Sequence, residues 1–382
     1  VSNIVTSPEK LFYNSPENLS SQGIITNMKH EVLDINFDNK TLLVKNLTTE
    51  DIFEDNYDKL VLTLGSWPIV PKFEGGNLEN IVLCKNYDHA KTIIRKSNEA
   101  KNVVVIGAGY IGVELAEAFE VKNKNVTLID SQDRIMAKYL DKEFTDVAEA
   151  EFTKKGVKLA LDQTVQKFEG NRKVSRVITD KNEYEADLVV LCIGFAPNTN
   201  LIKGKLDTLP NGAIIIDEYM RTSKEDVFAA GDCCVVRFNP ANENRYIPLA
   251  TNAVRMGTLV ARNLVKPTLK YMGTQGTSGI KIYDLSIAST GLTEEVARST
   301  TSLNVASVTA IDNYRPEFMP TFEEAKLKLV YDKDTRKIIG GQIISKIDLT
   351  QYMNTLSVVI QNEMTIEELA ITDFFFQPHF NK

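Results

Sequence analysis

The residues best suited to chemistry in this chain lie in a glycine-rich stretch between positions 102 and 130. An apolar run at 103–106 suits a buried parallel strand, and Gly107, Gly109 and Gly112 follow it in a G-x-G-x-x-G spacing. The first glycine permits a tight turn, and the second lets backbone N–H groups approach a pyrophosphate at the positive end of a helix. The third lets that helix pack closely on the strand. Together they predict a dinucleotide-binding site.

A carboxylate completes this unit. A second apolar run at 126–129 delivers Asp130 about twenty residues after the turn, where a carboxylate accepts hydrogen bonds from a ribose 2′-hydroxyl and repels a 2′-phosphate. The three residues that follow provide no cation for an additional phosphate, which favours NADH over NADPH, but Arg134 lies close enough to leave NADPH open. A glycine turn without a ligand is the alternative, and the complete strand, turn, helix, strand and acid argue against it.

Three other β-type runs end in glycine, at Gly65, Gly194 and Gly231. Such ends lie at the carboxyl edge of a parallel sheet, where doubly wound folds bind nucleotides. Asp232 follows the third run and could accept a hydrogen bond from a polyhydroxy chain. The sequence is equally compatible with Asp232 as the N-cap of a following helix.

The elements that must position these residues can be predicted from periodicity and from turn residues. We predict an α/β fold with a small meander first, then a parallel sheet with helices, and a change of character after Pro267 that marks a boundary near 268. The predicted strands are 31–37, 41–44, 59–64, several between 157 and 178, 188–193, one after 212, and 227–230; the predicted helices are 88–98, 141–155 and 251–264, and turns are predicted at 65–68 and 194–198.

Composition excludes several classes of function. The chain has 382 residues, 43% of them hydrophobic, and a formal net charge of −7, which argues against nucleic-acid and anionic-membrane partners because both require a basic face. The sequence contains no apolar run long enough for a transmembrane helix, and its first ten residues lack the pattern of a signal peptide. A cytoplasmic location is therefore expected.

Four cysteines, at positions 84, 192, 233 and 234, have neither zinc-ligand spacing nor a C-x-x-C motif, which argues against a structural metal. Cys233 and Cys234 are adjacent, and neighbouring cysteines rarely bridge because the peptide between them must distort. We interpret them as small buried side chains at a helix start. Cys192 receives the same interpretation within its strand, and Cys84 has no activating partner in the sequence.

Taken together, these segments resemble the FAD-dependent pyridine-nucleotide disulfide oxidoreductases, and within them the water-forming NADH oxidases, with NADH peroxidases as near relatives. The carrying motifs are 63–66, 193–194, 222–232 and 248–253, with 312–320 favouring the oxidases and 373–378 matching both groups. The resemblance implies FAD and NADH as cofactors. It also implies Rossmann-like FAD- and NAD(P)-binding domains followed by a C-terminal α+β dimerisation domain.

The resemblance assigns roles to individual residues. Tyr110 would gate the nicotinamide pocket beside the flavin, although a solvent-facing helix position is its ordinary interpretation. Tyr139 would help to hold the cofactor, although a packed loop aromatic is the alternative. The implied cofactor-binding residues are Thr63, Gly65, Gly107, Gly109, Tyr110, Ile111, Gly112, Asp130, Tyr139, Gly194, Gly231, Asp232, Leu249, Ala250 and Thr251.

The implied division of the chain has four parts: 1–70 as a remnant of the first half of the FAD domain, 71–193 as the NAD-binding domain, 194–267 as the second half of the FAD domain, and 268–382 as the dimerisation domain. A homodimer through 268–382 follows, in which the partner's C-terminal segment approaches the flavin. A third interpretation takes 268–382 mainly as an interaction module.

Family members begin with a flavin-binding glycine turn and a redox cysteine, and neither is present in this sequence. The first residues, from Val5 to Tyr13, look like family sequence just beyond that cysteine, so we expect a fragment that also lacks the extreme C-terminus and is inactive alone. The expected activity is hydride transfer from NADH to FAD and on to O2, giving water, with no catalytic residue in these 382 positions. The alternatives are NADH peroxidase, CoA-disulfide reductase, and a non-catalytic NAD-binding redox sensor.

Overall fold

A computed structural model of the chain describes residues 7–382. Val5 and Thr6, which belong to the segment that resembles family sequence, lie outside the described residues. The α/β class predicted from the sequence is confirmed, since a five-stranded parallel sheet with flanking helices forms the centre of the structure.

The first part of the chain forms a meander and two short strands. β1, β2 and β3 are antiparallel neighbours, whereas β4 and β5 each pair with a strand from much later in the chain. A short 3-10 helix at Pro8–Leu11 and α1 at Pro16–Ser21 precede β1 at His30–Asn36, β2 at Thr41–Asn46, β3 at Ile52–Asn56, β4 at Leu60–Leu62 and β5 at Ser66–Pro68.

The central parallel sheet has the strand order β6-β13-β7-β8-β9. Its middle strands are buried on both faces, as the apolar runs in the sequence predict. The elements are β6 at Ile81–Leu83, α2 at Tyr87–Glu99, β7 at Asn102–Ile106, α3 at Tyr110–Glu120, β8 at Asn125–Ile129, α4 at Lys142–Lys154, β9 at Lys158–Ala160 and β13 at Leu188–Leu191. A three-stranded antiparallel sheet lies between β9 and β13, formed by β10 at Val165–Gly170, β11 at Val174–Thr179 and β12 at Glu183–Glu185.

The chain then returns to the first part of the structure. β14 pairs antiparallel with β5, and β15 pairs parallel with β4, so that sequence positions more than 100 residues apart form one unit. The elements are β14 at Phe195–Pro197, a 3-10 helix at Asn200–Ile202, β15 at Val227–Ala229, β16 at Val236–Phe238, a 3-10 helix at Asn239–Ala241, β17 at Glu243–Arg245 and α5 at Ala250–Asn263.

Several sequence-based predictions of local structure were wrong in this part. The turns predicted at 65–68 and 194–198 contain the paired strands β5 and β14, because each segment supplies the other's hydrogen-bond partner. The third strand of the meander is β3 and not 59–64. The sequence of β3 has no alternation of apolar and polar residues that would predict a strand, and all five of its residues are exposed. The strand predicted after 212 is present only as isolated bridges at Ile214.

The C-terminal part is an antiparallel sheet with the order β18-β19-β22-β21-β20 and helices on it. β22 is buried along its whole length, and α7 packs on it. The elements are β18 at Ser278–Ile282, β19 at Leu285–Gly291, α6 at Glu294–Thr300, β20 at Val305–Asn313, β21 at Glu324–Asp332, β22 at Ile338–Ser345, α7 at Gln351–Gln361 and α8 at Ile366–Ala370.

A buried ionic cluster joins this C-terminal sheet to the central parallel sheet. The ammonium group of Lys328 on β21 lies 3.0 Å from Asp141, 2.6 Å from Glu143 and 2.9 Å from Glu294. The amide of Gln342 donates to the Asp141 carboxylate at 2.6 Å and accepts from the Asp141 backbone N–H at 2.6 Å. We call these five residues the Lys328 cluster. It fixes the orientation of α4 relative to the C-terminal sheet.

No helix among residues 7–382 is long and apolar enough to cross a membrane.

Candidate functional site: a coenzyme cleft and the Asp232 corner

A cleft of about 470 Å³ opens at the carboxyl edge of the central parallel sheet. Its volume lies within the usual range of about 300–1,000 Å³ for small-molecule sites. Five residues that the sequence singled out line it, and we refer to it as the coenzyme cleft: Gly107, Gly109, Asp130, Tyr139 and Gly194.

The glycine turn has the geometry that its spacing predicts. Gly107 has a φ of +104°, and a Cβ added there would lie 2.4 Å from the carbonyl oxygen of Cys192 on the neighbouring strand end. A Cβ on Gly112 would lie 1.8 Å from the carbonyl oxygen of Gly107, so α3 packs directly on the turn. At Gly109 the nearest atom to such a Cβ is the Tyr139 ring at 4.0 Å, which leaves open space above the turn.

The N-terminus of α3 faces this open space with unused hydrogen-bond donors. The backbone N–H groups of Tyr110 and Ile111 donate to no acceptor within residues 7–382. Free first-turn N–H groups and the helix dipole together favour an anion at this position.

Asp130 lies at the end of β8, beside the glycine turn. Its two carboxylate oxygens accept hydrogen bonds from the backbone N–H groups of Ala108 at 2.5 Å and Gln132 at 2.8 Å. A carboxylate has about four acceptor positions, so these two bonds leave capacity for a ligand hydroxyl. The backbone bonds also fix the carboxylate in the cleft.

Arg134 lines the same cleft, but its guanidinium is already engaged. It is 7% exposed, donates to Asp133 at 2.9 Å, and pairs with Glu295 on α6. The sequence left Arg134 open as a possible phosphate ligand. In the structure its charge is compensated by carboxylates, which favours a coenzyme without the 2′-phosphate.

Tyr139, which lines the cleft, forms an aromatic pair with Tyr110. Their ring centroids are 4.5 Å apart, and the Tyr110 hydroxyl shares a hydrogen bond of 2.6 Å with Ser278 on β18. Burial raises the pKa of both phenols. The interpretation of Tyr110 as a solvent-facing helix residue is therefore wrong, because its side chain connects α3 to the C-terminal sheet. Tyr139 is 39% exposed, so it is not a fully packed loop aromatic either.

The remaining predicted residues meet at a second place, where β4 and β15 end side by side. The Ser66 hydroxyl donates to the Asp232 carboxylate at 2.9 Å, and the Lys85 ammonium group lies 2.7 Å from Ser66 and 3.2 Å from Asp232. Burial, with the negative charge of Asp232 adding to it, raises the pKa of Tyr246 to about 12. We call these four residues the Asp232 corner.

The N-cap interpretation of Asp232 is wrong. A turn and then β16 follow this residue, and the next α-helix begins only at Ala250. Cys233 and Cys234 are buried, as predicted, but they lie in this turn and not at a helix start.

The start of α5 lies against the same corner. A Cβ on Gly231 would lie 3.5 Å from the Cβ of Ala253 in the first turn of α5. The backbone N–H groups of Ala250 and Thr251 have no acceptor among residues 7–382, and the buried hydroxyl of Tyr246 has no hydrogen-bond partner there. The corner therefore presents unused donors next to a carboxylate. Leu249 precedes this turn, and Thr63 and Gly65 follow the neighbouring strand β4.

Sequence reasoning placed Ser66 in the 63–66 motif without a role and missed four further residues: Lys85, Tyr246, Ser278 and Glu295. Each acts through a partner far away in sequence, and none belongs to a motif with a fixed spacing. A larger cleft of about 570 Å³ lies at the opposite end of β4 and β15, and none of the predicted site residues lines it.

Comparison with known proteins shows the family of the chain. The family model for pyridine nucleotide-disulphide oxidoreductases matches residues 3–257, and the model for the dimerisation domain of these enzymes matches residues 277–382. The chain belongs to the pyridine nucleotide-disulphide oxidoreductase family. The resemblance predicted from the motifs is confirmed.

Members of the family named NADH oxidase are among the similar proteins. The chain is 54% identical over 384 residues to the NADH oxidase of Enterococcus faecalis, covering 100% of this chain and 86% of the relative. The water-forming NADH oxidase of Lactobacillus brevis bound to NADH has a TM-score of 0.98 at 53% identity, covering 100% of this chain and 84% of that one. An engineered NADPH oxidase, made from the L. brevis enzyme by five substitutions and bound to NADPH, has a TM-score of 0.98 at 52% identity, covering 100% and 85%.

Proposed function

We propose that the protein is an NADH oxidase, which passes a hydride from NADH to FAD and the electrons on to O2, giving water. The observation that carries this proposal is the placement of the coenzyme cleft and the Asp232 corner within one chain of this family. Its likeness to water-forming NADH oxidases extends along the whole chain and supports the choice among family activities.

The coenzyme cleft fits a dinucleotide. A pyrophosphate above Gly109 would accept hydrogen bonds from the free N–H groups of Tyr110 and Ile111, where the α3 dipole stabilises negative charge. Asp130 would accept a ribose hydroxyl. The pairing of Arg134 with Asp133 and Glu295 compensates the positive charge that would attract a 2′-phosphate, which supports NADH over NADPH.

The Asp232 corner fits FAD. Among residues 7–382, hydrogen bonds reach only one oxygen of the Asp232 carboxylate, so the other can accept from the hydroxyls of a ribityl chain. The N–H groups of Ala250 and Thr251 and the buried hydroxyl of Tyr246 supply donors for the polar edge of a flavin ring. When bound, FAD would supply the two-electron chemistry that amino-acid side chains lack.

The protein's own residues hold and shield the reactants. Tyr110 and Tyr139 form an apolar wall at the cleft, and the hydrogen bond from Tyr110 to Ser278 fixes that wall to the C-terminal sheet. Lys85 compensates the negative charge of Asp232 and holds this carboxylate in position next to a ligand. In this proposal the chain binds, orients and excludes water, and donates no proton of its own.

The division of the chain into 1–70, 71–193, 194–267 and 268–382 is part of the proposal. The pairing of β4 with β15 and of β5 with β14 supports it, because residues before 70 and after 193 then build one FAD-binding unit around an inserted NAD-binding one. Since NADH is a coenzyme of the cell interior, the proposal also predicts a cytoplasmic enzyme.

We also propose a homodimer formed through 268–382. Large apolar side chains are exposed on this part of the chain, which is typical of a protein-binding surface. They include Val308, Ile311, Phe318, Val358, Phe374, Phe375, Phe376 and Phe380. Sedimentation velocity would detect the dimer, and a monomer at micromolar concentration would contradict this part of the proposal.

The test of function combines flavin absorbance, NADH consumption and oxygen uptake in one purified sample, with a peroxide assay alongside. For the full-length gene product we expect bound flavin, consumption of about twice as much NADH as O2, and no released peroxide. Asp232→Ala should lose flavin while keeping NADH binding. Asp130→Ala should keep flavin and bind NADH more weakly. A protein that binds NADH but neither holds flavin nor consumes O2 would contradict the oxidase proposal. Equal consumption of NADH and O2 with release of peroxide would contradict water as the product.

A further inference from the structure

Cys84 and Cys192 are neighbours at the carboxyl edge of the central sheet. β6 and β13 are parallel, and their last paired residues are Leu83 and Leu191. Each cysteine follows one of these leucines directly, so the two lie side by side one step beyond the ladder. Their separation of 108 positions in the sequence hides this arrangement.

The two thiols lie on the same face of the sheet. Val82 and Val190, two positions earlier, belong to the hydrophobic cluster against which both cysteines pack. Leu191 and the other residues that alternate with Val82 and Val190 along the two strands belong to a different hydrophobic cluster, on the opposite face of the sheet. Because side chains alternate along a strand, Cys84 and Cys192 extend the row formed by the two valines.

The spacing suits a disulfide. Neighbouring strands lie about 4.8 Å apart, and disulfides join residues whose Cα atoms are about 4.4 to 6.8 Å apart. Both cysteines are free and half-buried. Cys192 also lines the coenzyme cleft, so a small oxidant can reach it from there.

We propose that Cys84 and Cys192 are a modification site, a dithiol that hydrogen peroxide converts into a disulfide. The Cys192 thiol loses its proton to water, and its sulfur displaces hydroxide from peroxide to give a sulfenic acid. The Cys84 thiol then attacks that sulfur, loses its proton, and releases water. Two thiols and one peroxide thus give one disulfide and two waters, with both cysteines oxidised and the peroxide reduced.

The bond would alter the coenzyme cleft. The carbonyl oxygen of Cys192 would lie only 2.4 Å from a Cβ on Gly107, and the Cys192 backbone N–H donates to the carbonyl oxygen of Ile106 at 2.7 Å. Drawing Cys192 toward Cys84 therefore shifts the strand end that supports the glycine turn. Weaker NADH binding is the expected consequence, and this consequence rests on the proposed function, whereas formation of the disulfide does not.

Burial sets the rate of this reaction. It raises the pKa of both thiols, and the thiolate is the reactive form, so oxidation should be slow and should accelerate with rising pH. A coenzyme in the cleft would cover Cys192 and slow the reaction further.

The pair Cys233 and Cys234 provides an internal comparison. Their sulfurs are 3.6 Å apart, but the residues are adjacent and a bond between them would distort the intervening peptide. The hydrogen bond with Cys234 lowers the pKa of Cys233 to about 7, but both residues are buried and neither lines the coenzyme cleft, so peroxide has no open path to them. Peroxide should leave them as thiols under conditions that join Cys84 to Cys192.

The experiment treats the reduced full chain with hydrogen peroxide, blocks remaining thiols with N-ethylmaleimide, and maps the peptides by mass spectrometry. We expect a cross-linked peptide containing Cys84 and Cys192, about tenfold weaker NADH binding by fluorescence titration, and recovery of both with dithiothreitol. Prior saturation with NADH should reduce the cross-linked fraction. Cys84→Ser should bind NADH normally before treatment and keep that affinity after brief treatment.

Peptide mapping of the unmodified sequence decides the matter without any variant. Persistence of both free thiols, or a bond to Cys233 or Cys234 in their place, overturns the proposal. A bond between Cys84 and Cys192 with unchanged NADH affinity overturns its effect on the cleft. If the untreated chain fails to bind NADH, the proposed function is wrong, but the cross-linked peptide still decides whether the dithiol exists.

Discussion

Replacing Lys328 by methionine should reveal how much the buried ionic cluster contributes to stability. Methionine has a similar length and an apolar stem, so the substitution removes the charge while keeping most of the packing. Lys328 is 4% exposed and is surrounded by Asp141, Glu143 and Glu294. Its loss leaves the buried Asp141 carboxylate without its cation, whereas Glu294 keeps Arg298 and Glu143 is partly exposed to solvent.

Two arguments give the magnitude. Removing one partner of a buried ion pair costs about 3–5 kcal/mol, because the remaining charge stays desolvated. Burial alone would raise the pKa of Glu294, but hydrogen bonds from Ser307, Arg298 and Lys328 lower it to about 2. Relative to the ordinary value of 4.5, this fall in pKa corresponds to about 3 kcal/mol of folding stability at neutral pH. Lys328 supplies part of that stability. We therefore expect Lys328→Met to lower the free energy of unfolding by about 3 kcal/mol.

The effect has a defined dependence on pH. A carboxyl group whose pKa is depressed in the folded state stabilises the protein above its unfolded pKa, and this contribution is lost as the pH falls through the folded pKa. For Glu294 the window extends from 4.5 down to about 2. The difference in stability between Lys328→Met and the parent should be largest at neutral pH and should narrow across that window.

Urea unfolding followed by circular dichroism at about pH 7 and about pH 3.5 measures both effects. Lys337→Met is the matched control, since it removes a lysine that directly precedes β22 and pairs with the exposed Glu363. That variant should change stability little at either pH. An equal effect of the two substitutions, or a loss in Lys328→Met that does not narrow as the pH falls, would refute the reasoning.

Three further predictions concern the coenzyme cleft and its support. Gly107→Ala adds a Cβ that would lie 2.4 Å from a backbone oxygen, at a residue with a φ of +104°. NADH affinity in a fluorescence titration should therefore fall about 100-fold. The control Gly204→Ala, at a φ of +74° in open space, should leave NADH affinity unchanged. Asp130→Ala should lower kcat/KM for NADH much more than for NADPH, and an equal loss for both would contradict the ribose role of this carboxylate. Tyr110→Phe removes the hydrogen bond to Ser278 and should cost about 1 kcal/mol of stability by thermal unfolding, which an unchanged Tm would contradict.

The parts of the fold that could be predicted from the sequence have short-range signals. The run from β7 to Asp130 combines a strand, a glycine turn, a helix and a second strand within thirty residues, and each piece restricts the next. The helices α2, α4 and α5 were predicted to within two residues at each end. Their apolar periodicity does not depend on the rest of the chain.

The parts that were missed depend on long-range partners. β5 and β14 are strands only because they pair with each other across about 130 positions, and alone they resemble turns around Gly65 and Gly194. The contacts of Lys85 with Asp232 and of Lys328 with Asp141 join residues 147 and 187 positions apart, where no local pattern relates the partners. In one sequence such lysines look like ordinary surface charges.

The connections between the coenzyme cleft and the C-terminal sheet limit how this protein can exchange parts with its relatives. Tyr110 with Ser278, Arg134 with Glu295, and Asp141 with Lys328 each join one half of the chain to the other, and two of the three pairs carry charge. A recombinant that takes its first half from one relative and its second half from another inherits both members of a pair only by chance. The two halves should therefore be inherited together, with gene exchange tolerated at the ends of the chain and selected against near residue 268.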